Sequence, residues 1–198
     1  MRIAIPCLVA LLLLGGCATP YTLVEPGPQT VRETLTVTPG RAWNRVATPG
    51  IDGKVEVWTL DGTMLNMMTF FAGVEEGEPI FVRRRLPGAK EGEKPPVFRA
   101  RMTPLEIADL FRDTTSVVYG TAIVETTGLR PATLAGLDGF RFETSMVGQD
   151  EVVRSGTALG AVHDGRLYMI WFLGAKLHYF ERYLPEVERV FASARVAG

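Results

Sequence analysis

The chain has 198 residues, 46% hydrophobic and 22% charged, with 21 Lys and Arg against 22 Asp and Glu for a formal net charge of −1. That length and apolar share suit one compact domain, and so even a charge balance excludes a general nucleic-acid binder. Two cysteines and two histidines leave little material for thiol or metal chemistry.

Chain order begins with Met1 and Arg2, a twelve-residue run dominated by apolar side chains from Ile3 to Leu14, and then Gly15-Gly16-Cys17. One positive charge, a short apolar run and a small-residue cut site form a secretory signal, well short of the roughly 20 residues a membrane-spanning helix needs. Leu14-Gly15-Gly16-Cys17 resembles the bacterial lipoprotein signal. That resemblance implies a chain cut before Cys17, with diacylglycerol on its thiol and an acyl chain on its new amino group. The rival reading is a plain signal peptide with Cys17 free or disulfide-bonded. Ala18 is not the aspartate that marks inner-membrane retention, so the resemblance favours an outer-membrane anchor facing the periplasm. Losing Arg2 and Cys7 with residues 1–16 moves the formal net charge to −2. With Cys17 spent on lipid, no disulfide, thiolate nucleophile or Cys-ligated metal is available.

Residues 17–30 hold three prolines and a glycine with little apolar periodicity, which predicts a semi-extended spacer. Residues 31–198 then form a single periplasmic α/β domain. A strand is expected over 31–38, where Val31, Leu35 and Val37 share a face. Thr38 and Pro39 open a short helix burying Trp43 and Val46. Residues 54–60 and 63–71 flank Asp61-Gly62, the signature of a two-residue hairpin turn. Further strands are expected over 80–85 and 97–102, around a surface loop at Pro95-Pro96. Thr103-Pro104-Leu105-Glu106 is a capping box with proline at the first helical position, opening a helix to about Thr114 with Leu105, Ala108 and Phe111 on one stripe. Residues 116–126, 138–147, 151–163 and 166–174 read as strands, the last two joined by a tight turn at Asp164-Gly165. In 166–174 both faces are apolar, so that strand is central and covered from both sides. Leu177, Phe180, Leu184, Val187, Phe191 and Ala194 recur at intervals of three and four as the covering helix. Pro185 within it predicts a kink or a restart.

The order of helix, antiparallel meander and closing helix ending in Arg189-Val190-Phe191-Ala192-Ser193-Ala194-Arg195 resembles the α/β/α sandwich of Mog1 and PsbP-type proteins. The resemblance implies an α+β fold, an antiparallel β-sheet covered by helices on both faces, used for accessory binding. Trp58-Thr59-Leu60-Asp61-Gly62, Gly160-Ala161-Val162-His163-Asp164-Gly165 and the stretch from His178 to Glu186 also resemble a group of uncharacterised proteobacterial lipoproteins.

Catalytic patterns are sparse. His178 and Glu181 supply two metal ligands at i and i+3, with no H-E-x-x-H or third ligand; a helix-surface histidine accounts for the same pair. Ser145 and Ser155 lie in strand patterns, and no G-x-S-x-G elbow or glycine-rich phosphate loop is present. Two stretches stand out as candidate binding surfaces. Arg83, Arg84 and Arg85, with Lys90, Lys94, Arg99 and Arg101 near in sequence, suit anionic headgroups or an acidic partner; a charged edge strand that resists aggregation, neutralised locally by Glu75, Glu76, Glu78, Glu91 and Glu93, is the reading favoured over it. Met64, Met67 and Phe70 sit in a run rich in soft apolar side chains, fitted to varied ligands or to a strand buried on both faces. The sequence therefore predicts a non-enzymatic envelope lipoprotein without cofactor. Its expected partners are the bilayer, reached through Cys17, and an envelope protein. Alternatives are a carrier of lipid or another apolar ligand, or an envelope hydrolase.

Overall fold

The structure is a computed structural model that describes residues 21–47, 53–81, 96–121 and 123–197. Its strands and helices, in chain order, are β1 (Tyr21–Val24), β2 (Gln29–Val31), β3 (Leu35–Val37), β4 (Trp43–Val46), β5 (Val55–Thr59), β6 (Asn66–Val74), α1 (Pro104–Tyr119), β7 (Val124–Leu134), β8 (Leu137–Val147), β9 (Val153–His163), β10 (Arg166–Ala175), α2 (Tyr179–Ser193) and β11 (Arg195–Val196). Eight strands form one antiparallel sheet in the order β1-β4-β5-β6-β10-β9-β8-β7, and β11-β3-β2 form a second, small one.

β10 organises the packing, because side chains alternate across a strand. Leu167, Met169, Trp171 and Leu173 join the α1 side chains Ile107, Ala108, Leu110 and Phe111 in one buried cluster. Tyr168, Ile170 and Phe172 join Tyr183, Val187, Val190 and Phe191 of α2 in the other, together with Val31, Leu35 and Val37 of the small sheet. The Asp164-Gly165 turn has positive φ at both residues, 48° and 73°, as a two-residue hairpin of this hand requires. Ala135-Gly136, at 56° and 81°, makes a second such turn. In β6, Gly73 at φ 83° sits where the pairing with β10 shifts register between Leu167 and Tyr168. This bulge turns Val74 into the α1 cluster although its parity would otherwise face α2.

Helix α1 starts where expected. Thr103 Oγ1 accepts from the Glu106 amide at 3.3 Å, while the Thr103 amide donates to Glu106 Oε2 at 2.7 Å. These bonds to Thr103, its backbone first, hold the Glu106 carboxyl below its ordinary range. The helix runs on to Tyr119 and stops at Gly120 in the left-handed conformation, so residues 116–119 are helical rather than the start of a strand. Its buried stripe includes Ile107, Leu110 and Phe111, while Leu105 is exposed.

Other expectations give way to tertiary pairing. Residues 21–30 do not serve as a spacer: β1 pairs with β4 from Tyr21↔Val46 to Val24↔Trp43, and β2 pairs with β3. The strand expected over 31–38 is instead a hairpin, broken by Arg32 and Glu33 at φ 46° and 67°. The short helix after Thr38 is absent. Trp43–Val46 is strand β4 between β1 and β5, and the preceding amides of Thr38 and Gly40 donate to Ser193 and Glu186 of α2. The chain at 97–102 is irregular. Phe98 is tied by backbone bonds to Gly77 and Glu78 so that its ring fills the α1 cluster. Ile80 and Phe81 enter the same cluster without forming a strand, and residues 82–85 lie outside the described chain. Helix α2 passes through Pro185 without restarting, and Leu177 is fully exposed ahead of it.

Two contacts fix α2 on the sheet. Arg141 of β8 donates to both Glu188 carboxylate oxygens, at 3.0 and 2.5 Å, and those bonds raise its pKa. Tyr183 Oη donates to Asp61 Oδ2 at 2.6 Å. Desolvation first, and then this bond, raise the tyrosine pKa. Asp61-Gly62 is thus part of a wider six-residue connection, with the Leu65 and Asn66 amides both donating to the Gly62 carbonyl.

Candidate functional site

At the end of the sheet where β6 begins and β10 ends, a cleft of about 370 Å³ opens between α1 and the β8–β9 turn. Its wall is built from separate segments: Met64 from the β5–β6 connection, Met67 from β6, Tyr119 from the last turn of α1, Met146 from β8 and Leu173 from β10. Each arrives there by local rules. Met67 and Leu173 are directly paired across β6 and β10 and so point to the same face. Met146 ends the alternating row Phe140, Phe142, Thr144, Met146, the buried positions of β8. Tyr119 reaches the cleft because α1 is one turn longer than its apolar stripe suggests, and its hydroxyl donates to Met67 Sδ at 3.4 Å.

The polar part of the wall is Thr63, Gln149, Asp150 and Arg154, and Arg154 is only 5% exposed. Its Nη2 donates to Asp150 Oδ2 at 2.6 Å and its Nη1 to Asp150 Oδ1 at 2.9 Å. Nε and Nη2 also donate to the Met64 carbonyl at 3.2 and 2.8 Å, and Nη1 donates to the Val152 carbonyl at 3.2 Å. A buried charge needs such complete pairing. The arrangement pins the otherwise exposed Met64 segment to β9. Gly148 is needed beside it, since a Cβ there would approach Asp150 Oδ1 to 2.5 Å and Arg154 Nη1 to 2.7 Å.

The hydrogen bonds from Arg154 lower the Asp150 pKa from an ordinary 3.8 to about 2. A depressed carboxyl stabilises the fold above its unfolded pKa, and that contribution is lost as pH falls through the folded value. The clamp is therefore expected to be intact at pH 4 and above and to release between pH 4 and about 2. A carboxyl-carbon NMR titration should place the Asp150 midpoint near 2. Asp150→Asn should remove that acid-dependent loosening of the Met64 segment. A midpoint at the ordinary value would show that the pair does not form.

The residues singled out from sequence divide sharply. Met64, 62% exposed, and Met67, 4% exposed, meet in the cleft. Phe70 does not join them: its parity places it on the opposite face of β6, against Trp58 at 4.5 Å and in the α2 cluster. Cys17, Arg83, Arg84 and Arg85 lie outside the described residues. His163 stands 3.5 Å from Asp164 at the β9–β10 turn. The cross-strand pair Ser145 and Ser155 lies eight residues back along β9, about 26 Å away. The His178 ring lies 3.4 Å from Arg182 Nη1. Among the described residues no cluster of three or more His, Cys, Asp and Glu could hold a metal. Tyr119 and Arg154 were missed by sequence reasoning; an aspartate four residues before an arginine was the only local hint of the clamp.

One antiparallel sheet of this order, a long helix opening its second half and a second helix closing it, defines a PsbP-like α+β fold. The solution structure of cyanobacterial PsbP (CyanoP) from Synechocystis sp. PCC 6803 matches with a TM-score of 0.53 at 13% identity, covering 92% of this chain and 96% of that one. A crystal structure of LpqN, described as involved in cell envelope biogenesis of Mycobacterium tuberculosis, gives a TM-score of 0.35 at 10% identity, over 93% and 88% of the two chains. That second likeness is too distant to bear on the fold. No family model and no curated protein matches the chain.

Proposed function

We propose that this chain is a bacterial envelope lipoprotein, anchored in the outer membrane through acylated Cys17, whose periplasmic domain is a non-catalytic accessory module that binds an envelope partner. The observation that carries the reading is the run from Ile3 into Leu14-Gly15-Gly16-Cys17. The two buried clusters, one with each helix, support the finer reading of the fold as a Mog1/PsbP-like α/β/α sandwich. Because β1 begins at Tyr21, only four peptide steps separate it from Cys17, a reach of at most about 14 Å. The leash is therefore far shorter than a spacer running to Thr30, and the β1 edge of the sheet is held close to the headgroups.

Cys17→Ser tests the anchor. The variant should lose metabolic labelling by palmitate and leave the membrane fraction, and labelling that survives would refute the lipoprotein reading. For the binding role, crosslinking in intact envelopes followed by pull-down should return one reproducible partner. The cleft beside Met64 and Met67 favours a further version of that role, in which the bound species is an apolar small molecule.

A further inference from the structure

We propose that the methionine cleft is a binding site for a single uncharged hydrocarbon chain. This rests on the reading of the domain as a binding module, and is independent of the lipid on Cys17. The apolar side of the wall is Met64, Met67, Met146, Leu173 and the ring of Tyr119, with Thr63 and Gln149 beside the Asp150–Arg154 pair on the polar side. Thioether side chains are unbranched and polarizable, and adapt to a flexible apolar guest better than branched ones do. A volume of about 370 Å³ lies near the lower end of small-molecule sites, which run from roughly 300 to 1,000 Å³. That admits one chain and excludes a two-tailed lipid with its headgroup.

The charge of the guest follows from Arg154. All three nitrogens of its guanidinium already donate, to Asp150 and to the Met64 and Val152 carbonyls. The cation in the wall is neutralised by Asp150, and an anionic head would have to break that pair to be held. The mouth agrees with an apolar visitor. Met64, in the wall itself, is 62% exposed. The segment that carries it is bonded to the end of β10, Ala175 N to Leu65 O. An exposed, adaptable methionine at the rim of a cleft with a largely apolar floor is the form expected of a ligand entrance.

The test uses the full lipidated chain in phosphatidylcholine nanodiscs, labelled with ¹³C at the methionine methyls and titrated with 1-decanol and, separately, decanoate. The Met64, Met67 and Met146 signals should move saturably with decanol while those of Met68, on the opposite face of the sheet, and Met102 stay. Decanoate should bind no more tightly than decanol. Leu173→Trp, which fills the cleft, should abolish the response. Met64→Ala, at an exposed position that leaves the core intact, should weaken it roughly tenfold. Shifts that are absent, or that rise linearly and equally at all methionines, would overturn the proposal, since they report partition into the bilayer alone. A decanoate affinity tenfold above that of decanol would replace it with an anion site at Arg154. Cleft signals that move with protein concentration before any ligand is added would assign the cleft to a second copy of the chain. Failure of decanol binding with palmitate labelling of Cys17 intact would remove the cleft while leaving the anchor standing.

Discussion

Trp171→Ala is expected to cost roughly 3–5 kcal/mol of unfolding free energy, the range for deleting a fully buried large aromatic side chain. The indole is 1% exposed at the middle of β10. It meets Phe111 of α1 edge-on at 4.9 Å, with Phe81 and Tyr119 at 6.5 and 6.4 Å. It therefore joins three segments far apart in sequence, and no neighbour is free to collapse into the space it would leave. Its Nε1 also donates to Thr144 Oγ1 at 3.1 Å, so truncation strands a buried hydroxyl as well as opening a cavity. In a domain of this size each kcal/mol moves the melting temperature by about 2–4 °C, so the transition should fall by about 6–20 °C. Trp171→Phe separates the two contributions, keeping most of the ring contacts and losing the bond to Thr144, and should cost about half as much. Chemical denaturation of both variants checks the argument. A loss below about 1.5 kcal/mol for the alanine variant would mean that α1 does not pack on β10 as described.

The parts of this fold that were legible in the sequence are those whose cause is local. The capping box at Thr103, the tight turn at Asp164-Gly165 and the two apolar faces of β10 each depend on residues within a few positions of one another. Where cause is distant, reading fails. Trp43 and Val46 are spaced three apart, which suits a helix, and only the presence of β1 and β5 on either side makes them a strand. Tyr21–Val24 lies between Pro20 and Pro26-Gly27-Pro28, yet it pairs along its length with β4. Phe98 looks like part of a strand because it sits in the run from Val97 to Met102, but its role is to plug the core from an irregular segment. The cleft shows both sides of this rule. Met64 and Met67 were visible as an excess of soft side chains. Their companions were not, because Tyr119 depends on where α1 ends, and Arg154 is buried through a carbonyl 90 residues away in the chain. Phe70 was grouped with the methionines by proximity in sequence, and strand parity alone separates it from them.

Gly156→Ala should be nearly as damaging as the loss of Trp171, for the opposite physical reason. Gly156 lies in β9, opposite Leu173 of β10 and Thr144 of β8. A Cβ there would stand 2.6 Å from the Phe172 carbonyl and 2.8 Å from Trp171 Nε1, and closer still to Thr144 Oγ1. Two of those three atoms are the donor and acceptor of the buried Trp171–Thr144 bond, which passes directly over the glycine. The third belongs to the β10 backbone and cannot swing aside as a side chain would. Overpacking typically costs 1–3 kcal/mol, and contact with backbone puts this case near the top of that range, at about 3 kcal/mol. Thr144→Ala in the same chain should recover part of the loss by removing the hydroxyl, but not all of it, because the Phe172 carbonyl remains in place. Full recovery would show that the strain lies in the side chain alone. The consequence reaches the cleft, since Trp171 contacts Tyr119 and is followed two positions later by Leu173, both in the cleft wall. Displacing the indole should therefore shift the Met67 and Met146 methyl signals in the absence of any ligand. If Gly156→Ala destabilises the domain without moving those signals, the cleft wall is mechanically independent of the core beneath it.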